Sequence, residues 1–164
     1  MAVFTKINIK DISQIENQFN LGKIKIFKGI KKGIENTNYL LQTKKNKYIL
    51  TIFEKRIHGG CKSKDLPFFM NLMSKLSKLK IKCPEPIKNK NGKFIFKLKN
   101  KNACIVTFLR GQDKKQLNAN DCFTVGKNIA KLHKASAKIK LFRKNSFSVQ
   151  SWPKFLHKID NRIN

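Results

Sequence analysis

From Lys28 to Arg56 the chain reads KGIKKGIENTNYLLQTKKNKYILTIFEKR, and this stretch restricts the fold more than any other. Two apolar segments, Asn38–Thr43 and Lys47–Phe53, are separated only by Lys44-Lys45-Asn46. So short a connection joins antiparallel neighbours, because a parallel pair needs a crossover of about a dozen residues or more. A loop carrying Gly29 and Gly33 precedes the first segment, and Lys23–Lys28 ahead of it alternates Lys with Ile before reaching Phe27. The pattern is strand, glycine-bearing loop, strand, short turn, strand. In Tyr48–Phe53 apolar side chains fall on both faces, which predicts a covered central strand. Thr51 is its one markedly polar residue, and a β-branched hydroxyl that bonds locally would account for it.

The remaining segments extend this sheet and then leave it. Ile12, Ile15 and Phe19 recur at helical spacing behind Asp11, which predicts a short capped helix ended by Gly22. Asp65 precedes a second helix with Pro67 in its first turn and an apolar stripe of Phe69, Leu72, Met73, Leu76 and Leu79. Cys83-Pro84-Glu85-Pro86 is a rigid extended link, and Asn91-Gly92 is a turn signal ahead of a strand at Phe94–Leu98. Ala103–Leu109 reads as another covered strand, ending at Arg110-Gly111. Lys114–Asn120 is polar and linker-like. After it Cys122, Val125, Ile129 and Leu132 recur at helical spacing up to His133, and Trp152, Phe155, Leu156, Ile159 and Ile163 open a further amphipathic helix. The fold class is α+β: a five-stranded antiparallel sheet with a helix over residues 1–111, then a linker and the first helices of a second, helical unit over 112–164.

Charge bounds the partners. The formal charge is +28, which invites a nucleic-acid partner. Yet only Arg56, Arg110, Arg143 and Arg162 supply the guanidinium fork suited to phosphates and base edges, and the lysines are spread along the whole chain. A solvated basic surface is the expectation, with no specific nucleic acid, alongside non-specific attraction to polyanions. No stretch of about 18 apolar residues predicts a membrane span, and MAVFTKINIKD lacks a secretory apolar run, so the cytoplasm is the expected location. Cys61, Cys83, Cys104 and Cys122 lie about twenty residues apart, without metal-ligand spacing.

No complete catalytic set is present. His58, His133 and His157 lack a neighbouring nucleophile and acidic orienter. A phosphotransferase loop of the form His-x-Asp-x-x-x-x-Asn is absent, since His157 and Asp160 are three apart. The loop before Asn38 is more informative. Gly29 and Gly33 let backbone N–H groups approach a phosphate, and Lys28, Lys31 and Lys32 add positive potential. Two glycines four apart also describe an ordinary turn.

Taken together, KGIKKGIENTNYLL, KYILTIFEKR, DLPFFMNLM, CPEPI, CIVTFLRG, VGKNIAKLHKA and the run from Phe142 to Trp152 come in one order, after an opening MAVFTKI. In that order they resemble the bacterial homoserine kinases of the aminoglycoside phosphotransferase and choline-kinase-like superfamily, over essentially the whole chain. The resemblance implies a protein-kinase-like fold with a nucleotide-binding N-lobe followed by the start of a helical C-lobe. It implies ATP and Mg2+ as cofactors, and γ-phosphoryl transfer to the hydroxyl of L-homoserine in threonine synthesis. Under it ATP lies beneath the loop and is met by Gly29, Lys32, Gly33, Asn36, Thr37, Asn38, Thr51 and Lys55, with the adenine at a hinge formed by Thr107, Phe108 and Leu109. The catalytic Asp and the metal-binding Asp are expected beyond Asn164, so the chain alone is expected to be inactive. Another small-molecule kinase of the superfamily and a basic nucleic-acid-binding protein are the alternatives.

Thr51 stands where many superfamily members carry the phosphate-pairing Lys or Arg of the third strand, a Thr that the homoserine kinases share, and Lys55, four residues on, is the substitute the alternation suggests. Three departures accompany the resemblance. Arg110 replaces a usual Glu, Ser74 replaces a usual acidic residue, and HGGCKSK over residues 58–64 is a longer connection than usual.

Overall fold

A computed structural model describes residues 3–54, 63–145, 148–153 and 156. The chain runs α1 (Ile9–Gln18), β1 (Ile24–Gly29), β2 (Thr37–Thr43), β3 (Lys47–Ile52), α2 (Leu66–Lys78), β4 (Ile95–Leu98), β5 (Lys101–Thr107) and α3 (Ala119–Ser136). The strands form one antiparallel sheet in the order β1-β2-β3-β5-β4.

Local chemistry sets the ends of these elements, and it corrects several expectations. Asn8, not Asp11, is the N-cap of α1: its Oδ1 accepts from the Lys10 and Asp11 amides, while Asp11 at N3 accepts from the Asn8 amide. This reciprocal box satisfies amides that a helix start leaves without partners. Asp65 does not cap α2 through its side chain, and its carboxylate instead meets Arg143 Nη2 at 2.9 Å. The buried face of α2 is carried by Leu66 and Met70, whereas Leu79 of the predicted stripe is 38% exposed. β5 begins and ends two residues earlier than the apolar run suggested, because Lys99 and Asn100 take positive φ (51° and 61°) and close the β4–β5 hairpin. That left-handed pair matches the twist of flanking strands, and Asn tolerates the conformation while Lys rarely signals it. Of the last predicted helix, Phe155, Ile159 and Ile163 lie outside the described residues, as do His58, Cys61 and His157 elsewhere.

The two faces of the sheet are covered differently. On one, α1 lays Ile12, Ile15 and Phe19 over Leu41, Leu50, Ile52, Leu98, Ala103 and Ile105, and the Phe19 ring meets Phe96 edge-on at 4.9 Å. These residues form the main core, from which water is excluded. On the other face, α2 packs Met70 and Met73 with Phe69 over Ile49, Cys104 and Val106. That cover reaches β3, β4 and β5 and stops there. Ile26 is 49% exposed, Lys28 is exposed, and Asn38, Leu40 and Gln42 are half-buried, so the same face stays open over β1 and β2.

Candidate functional site

Register decides which side chains share the open face. Asn38 pairs with Thr51, Leu40 with Ile49, and Lys28 with Leu40, so alternation puts Lys28, Asn38, Leu40, Ile49 and Thr51 on one side. Thr51 Oγ1 donates to Asn38 Oδ1 at 2.8 Å, which orients the amide and resolves the polar residue of the central strand as a locally bonded one. Ile26 and Leu40 add apolar surface beside these polar groups.

The segment 30–36 between β1 and β2 stands at one end of this face. Residues 31–35 are exposed, and Gly33 takes φ 146°, a conformation a side chain would strain. Its entry is fixed by the Ile30 amide, which donates to the Asn38 carbonyl at 2.8 Å. From the loop, Lys32 Nζ comes within 3.6 Å of Asp113 Oδ2, beyond the end of β5. Both side chains are more than nine-tenths exposed, so the pair adds little stability.

Thr37 is the predicted residue that the structure turns away. It alternates with Asn38 and points to the α1 face, fully buried. Its Oγ1 accepts from the Phe4 amide at 2.9 Å and the Thr5 amide at 3.0 Å, and donates to Glu54 Oε1 at 2.7 Å. Asn36, one residue earlier, accepts the Glu54 amide on Oδ1 at 3.3 Å. Glu54 also accepts from Thr5 Oγ1 at 2.6 Å and from Lys101 Nζ. Burial pushes its carboxyl up, but hydrogen bonds from Lys101, Thr5 and Thr37 outweigh that and hold it below the ordinary range. Sequence reasoning missed this group; the only signal was an acidic residue directly after a covered strand.

At the other end of the face the chain leaves β5. The Thr107 amide donates to the Glu85 carbonyl at 2.9 Å and the Phe108 amide to the Lys47 carbonyl at 3.2 Å. Both amides are thus engaged inside the fold, while Leu109 is 47% exposed. A cavity of about 420 Å³ lies at this end, lined by Gln42, Lys47, Tyr48, Thr107, Phe108 and Arg110 among others, and no residue of the segment 30–36 lines it. The predicted residues therefore form two groups, one at the loop and one where β5 ends. Thr51 and Tyr48, which pair with Cys104 and Thr107, mark the gap of three residues, about 10 Å at the usual strand rise. Lys55 lies outside the described residues. Ser74 is half-buried on α2, and Arg110 is exposed.

Among the described residues there is no group of three or more His, Cys, Asp or Glu able to hold a metal ion, and no helix long and apolar enough to cross a membrane. Burial pushes the Cys104 thiol up to about 12, which leaves it without thiolate character near neutrality.

Comparison with known proteins bears on this geometry. The model of the phosphotransferase enzyme family matches residues 26–162. The homoserine kinase of Bradyrhizobium diazoefficiens is 38% identical over 152 residues, which is 93% of this chain and 45% of that protein. That of Bartonella henselae is 39% identical, with 93% and 46% covered, and that of Beijerinckia indica is 36% identical, with 99% and 49% covered. The chain thus spans about half the length of the curated relatives it matches. Among solved structures, a spectinomycin phosphotransferase in complex with ADP and spectinomycin superposes with a TM-score of 0.65 at 15% identity, covering 98% of this chain and 48% of that one. A microcompartment-associated aminopropanol kinase gives 0.58 at 15% identity, covering 86% and 44%. At such identity the likeness concerns the fold, a kinase-like N-lobe of five antiparallel strands with helices. From residue 26 to residue 162 the sequence carries the family's pattern, and the chain belongs to the phosphotransferase enzyme family.

Proposed function

We propose that this chain is the nucleotide-binding half of an ATP-dependent homoserine kinase, an enzyme that moves the γ-phosphoryl group of ATP to the hydroxyl of L-homoserine in threonine biosynthesis. One observation carries the nucleotide part: the sheet face that α2 covers over β3–β5 is left open over β1 and β2, with a lysine-bearing glycine loop at its end. A solitary domain would gain by covering Ile26 and Leu40. A purine and a chain of phosphates suit the surface left open, which is apolar in the middle, donor-rich at Asn38 and cationic at Lys28 and Lys32. The homoserine kinase relatives favour the acceptor.

In this reading ATP lies along the face, its adenine towards Leu109 and the backbone of Thr107 and Phe108, its phosphates under Gly29, Lys32 and Gly33. Asn36 shapes the exit of the loop, and Asn38, oriented by Thr51, presents its amide to the phosphates. Thr37 acts from beneath. Lys55 is proposed as an additional phosphate contact. When bound, ATP supplies the phosphoryl group, whose bond to the ADP oxygen breaks as the bond to the homoserine oxygen forms. Mg2+ is part of the proposal, but the described residues offer it no ligand set. The metal ligands and the base that takes the hydroxyl proton are assigned to the half of the relatives this chain does not span.

The proposed division is a nucleotide-binding unit over 1–111 and the first helices of an acceptor-side unit over 112–164. The exposed Val125, Ile129 and Leu132 on α3 support it, since they form an apolar face of the sort a helical lobe covers. The test is ADP release with homoserine, choline, aminopropanol or spectinomycin as acceptor. It is run on the 164-residue chain and on that chain joined to the second half of the Bradyrhizobium relative. Homoserine-dependent release by the joined protein alone is expected. Turnover by the 164-residue chain, or preference for another acceptor, contradicts the reading.

A further inference from the structure

Both legs of the segment 30–36 rest on the N-terminal residues. On the entry leg, Gly29 lies so close to Val3 that a Cβ there would fall 2.9 Å from Val3 Cγ2. On the exit leg, Thr37 Oγ1 accepts from the amides of Phe4 and Thr5, at 2.9 and 3.0 Å. Glu54 closes this arrangement from below. Its carboxylate accepts from Thr5, Thr37 and Lys101, and its amide donates to Asn36. Lys101 Nζ also donates to Thr5 Oγ1 at 2.7 Å, across 96 residues of chain. One buried carboxylate at the end of β3 therefore ties the N-terminal segment to the starts of β2 and β5, strands that the sheet already sets beside it. An ionised group is a costly way to hold a core together, and apolar packing of similar volume commonly does as well. On the same face the next inward positions Leu41, Leu50 and Ile52 are held by apolar packing, while the Tyr39 hydroxyl donates to the Thr5 carbonyl at 3.1 Å and accepts from the Ile7 amide at 3.3 Å. What a carboxylate adds is direction: it fixes hydroxyls and amides at set angles, which a methyl group cannot.

We infer that Glu54 is a positioning residue for the loop. With Thr5, Thr37 and Lys101 it clamps the exit leg to the N-terminal segment, so that only the exposed tip around Lys32 and Gly33 adjusts to a bound phosphate chain. The clamp stands on the contacts alone; its purpose rests on the nucleotide-binding reading.

The test has two readouts on the 164-residue chain. Amide hydrogen exchange is followed at Phe4, Thr5 and Ile30 in Glu54→Gln and Thr37→Val. The comparator is Ile15→Val, a core change under α1, at conditions of equal distance below the melting temperature. ATP affinity is then measured for each by titration. Expected are exchange at those three amides faster by about tenfold than in the comparator, the scale of one lost charge-assisted hydrogen bond, and weaker ATP binding in the two variants only. Exchange rising evenly over the core, as in Ile15→Val, overturns the inference. So does a local rise with ATP affinity equal to that of the parent. A local rise in a parent that binds no ATP supports the clamp and removes the nucleotide reading instead. If Glu54→Gln does not fold, Thr37→Val, which keeps shape and loses only the hydroxyl, decides the matter.

Discussion

The α1 face of the sheet and the apolar face of α3 carry the same kind of hydrophobic periodicity and end differently. Phe19, Ile15, Leu50 and Ile105 are at or near zero exposure, packed between α1 and the strands. Val125 is 53% exposed, Ile129 47% and Leu132 37%, and among the described residues of α3 only Ala135 is buried. Periodicity states which side of a helix seeks cover, not whether the cover lies within the same chain. The stability of this chain should therefore reside in the sheet, with α3 held by its own cap, by Lys114 at 2.5 Å from Asp121, and by the link from Arg143 back to Asp65, just before α2.

That contrast can be broken by substitution. Phe19→Ala should cost the most, about 3–5 kcal/mol in urea unfolding, because it empties a closed site beside Phe96. A cost below about 1 kcal/mol would mean that the sheet face is not the core. Next comes Glu54. Its folded-state pKa is depressed, so its contribution is complete above its unfolded value of about 4.3 and is lost as pH falls through the lower folded value. Glu54→Gln should lower stability at pH 7 by about 2 kcal/mol and flatten that part of the acid limb. An acid limb as steep as the parent's would reject the role of this carboxylate. The two capping boxes sharpen the comparison. Asn8→Ala should lower the unfolding free energy of the sheet by about 1 kcal/mol, whereas Asn118→Ala should reduce helical circular dichroism with little change in that free energy. Smallest of all, Ile129→Ser should change stability by less than about 0.5 kcal/mol, since its side chain is half in water already. A large loss there would place α3 inside the cooperative core.

Much of the fold was legible because the signals were local. The short Lys44-Lys45-Asn46 connection, the alternation of β2 and β3 and the Asn91-Gly92 turn all mark structure within a few residues, and the strands lie where they pointed. The cap at Asn8 was hidden because Asp11, three residues on, is equally able to cap and sits nearer the apolar run. The Lys99-Asn100 turn was hidden because it lacks glycine. For the site, spacing gave the loop, whereas Thr51 and the β2 residues beside it came with the resemblance. Spacing could not tell Asn38 on the open face from Thr37 on the covered one, because that depends on which face α1 occupies. Nor could it find Glu54, Thr5 and Lys101, since three distant segments must meet before their partnership exists.

The claim at the centre is that the uncovered half of the α2 face, with its loop, holds a triphosphate. The direct measurement is an ATP titration of the isotope-labelled chain at moderate salt, followed amide by amide. The account predicts saturable shifts at Ile26, Gly29, Lys32, Gly33, Asn38, Leu40, Thr51 and Leu109, with the α1 face silent. Shifts that spread over lysines on all sides and fade with salt would instead mark simple attraction of a polyanion to a +28 surface and contradict the account.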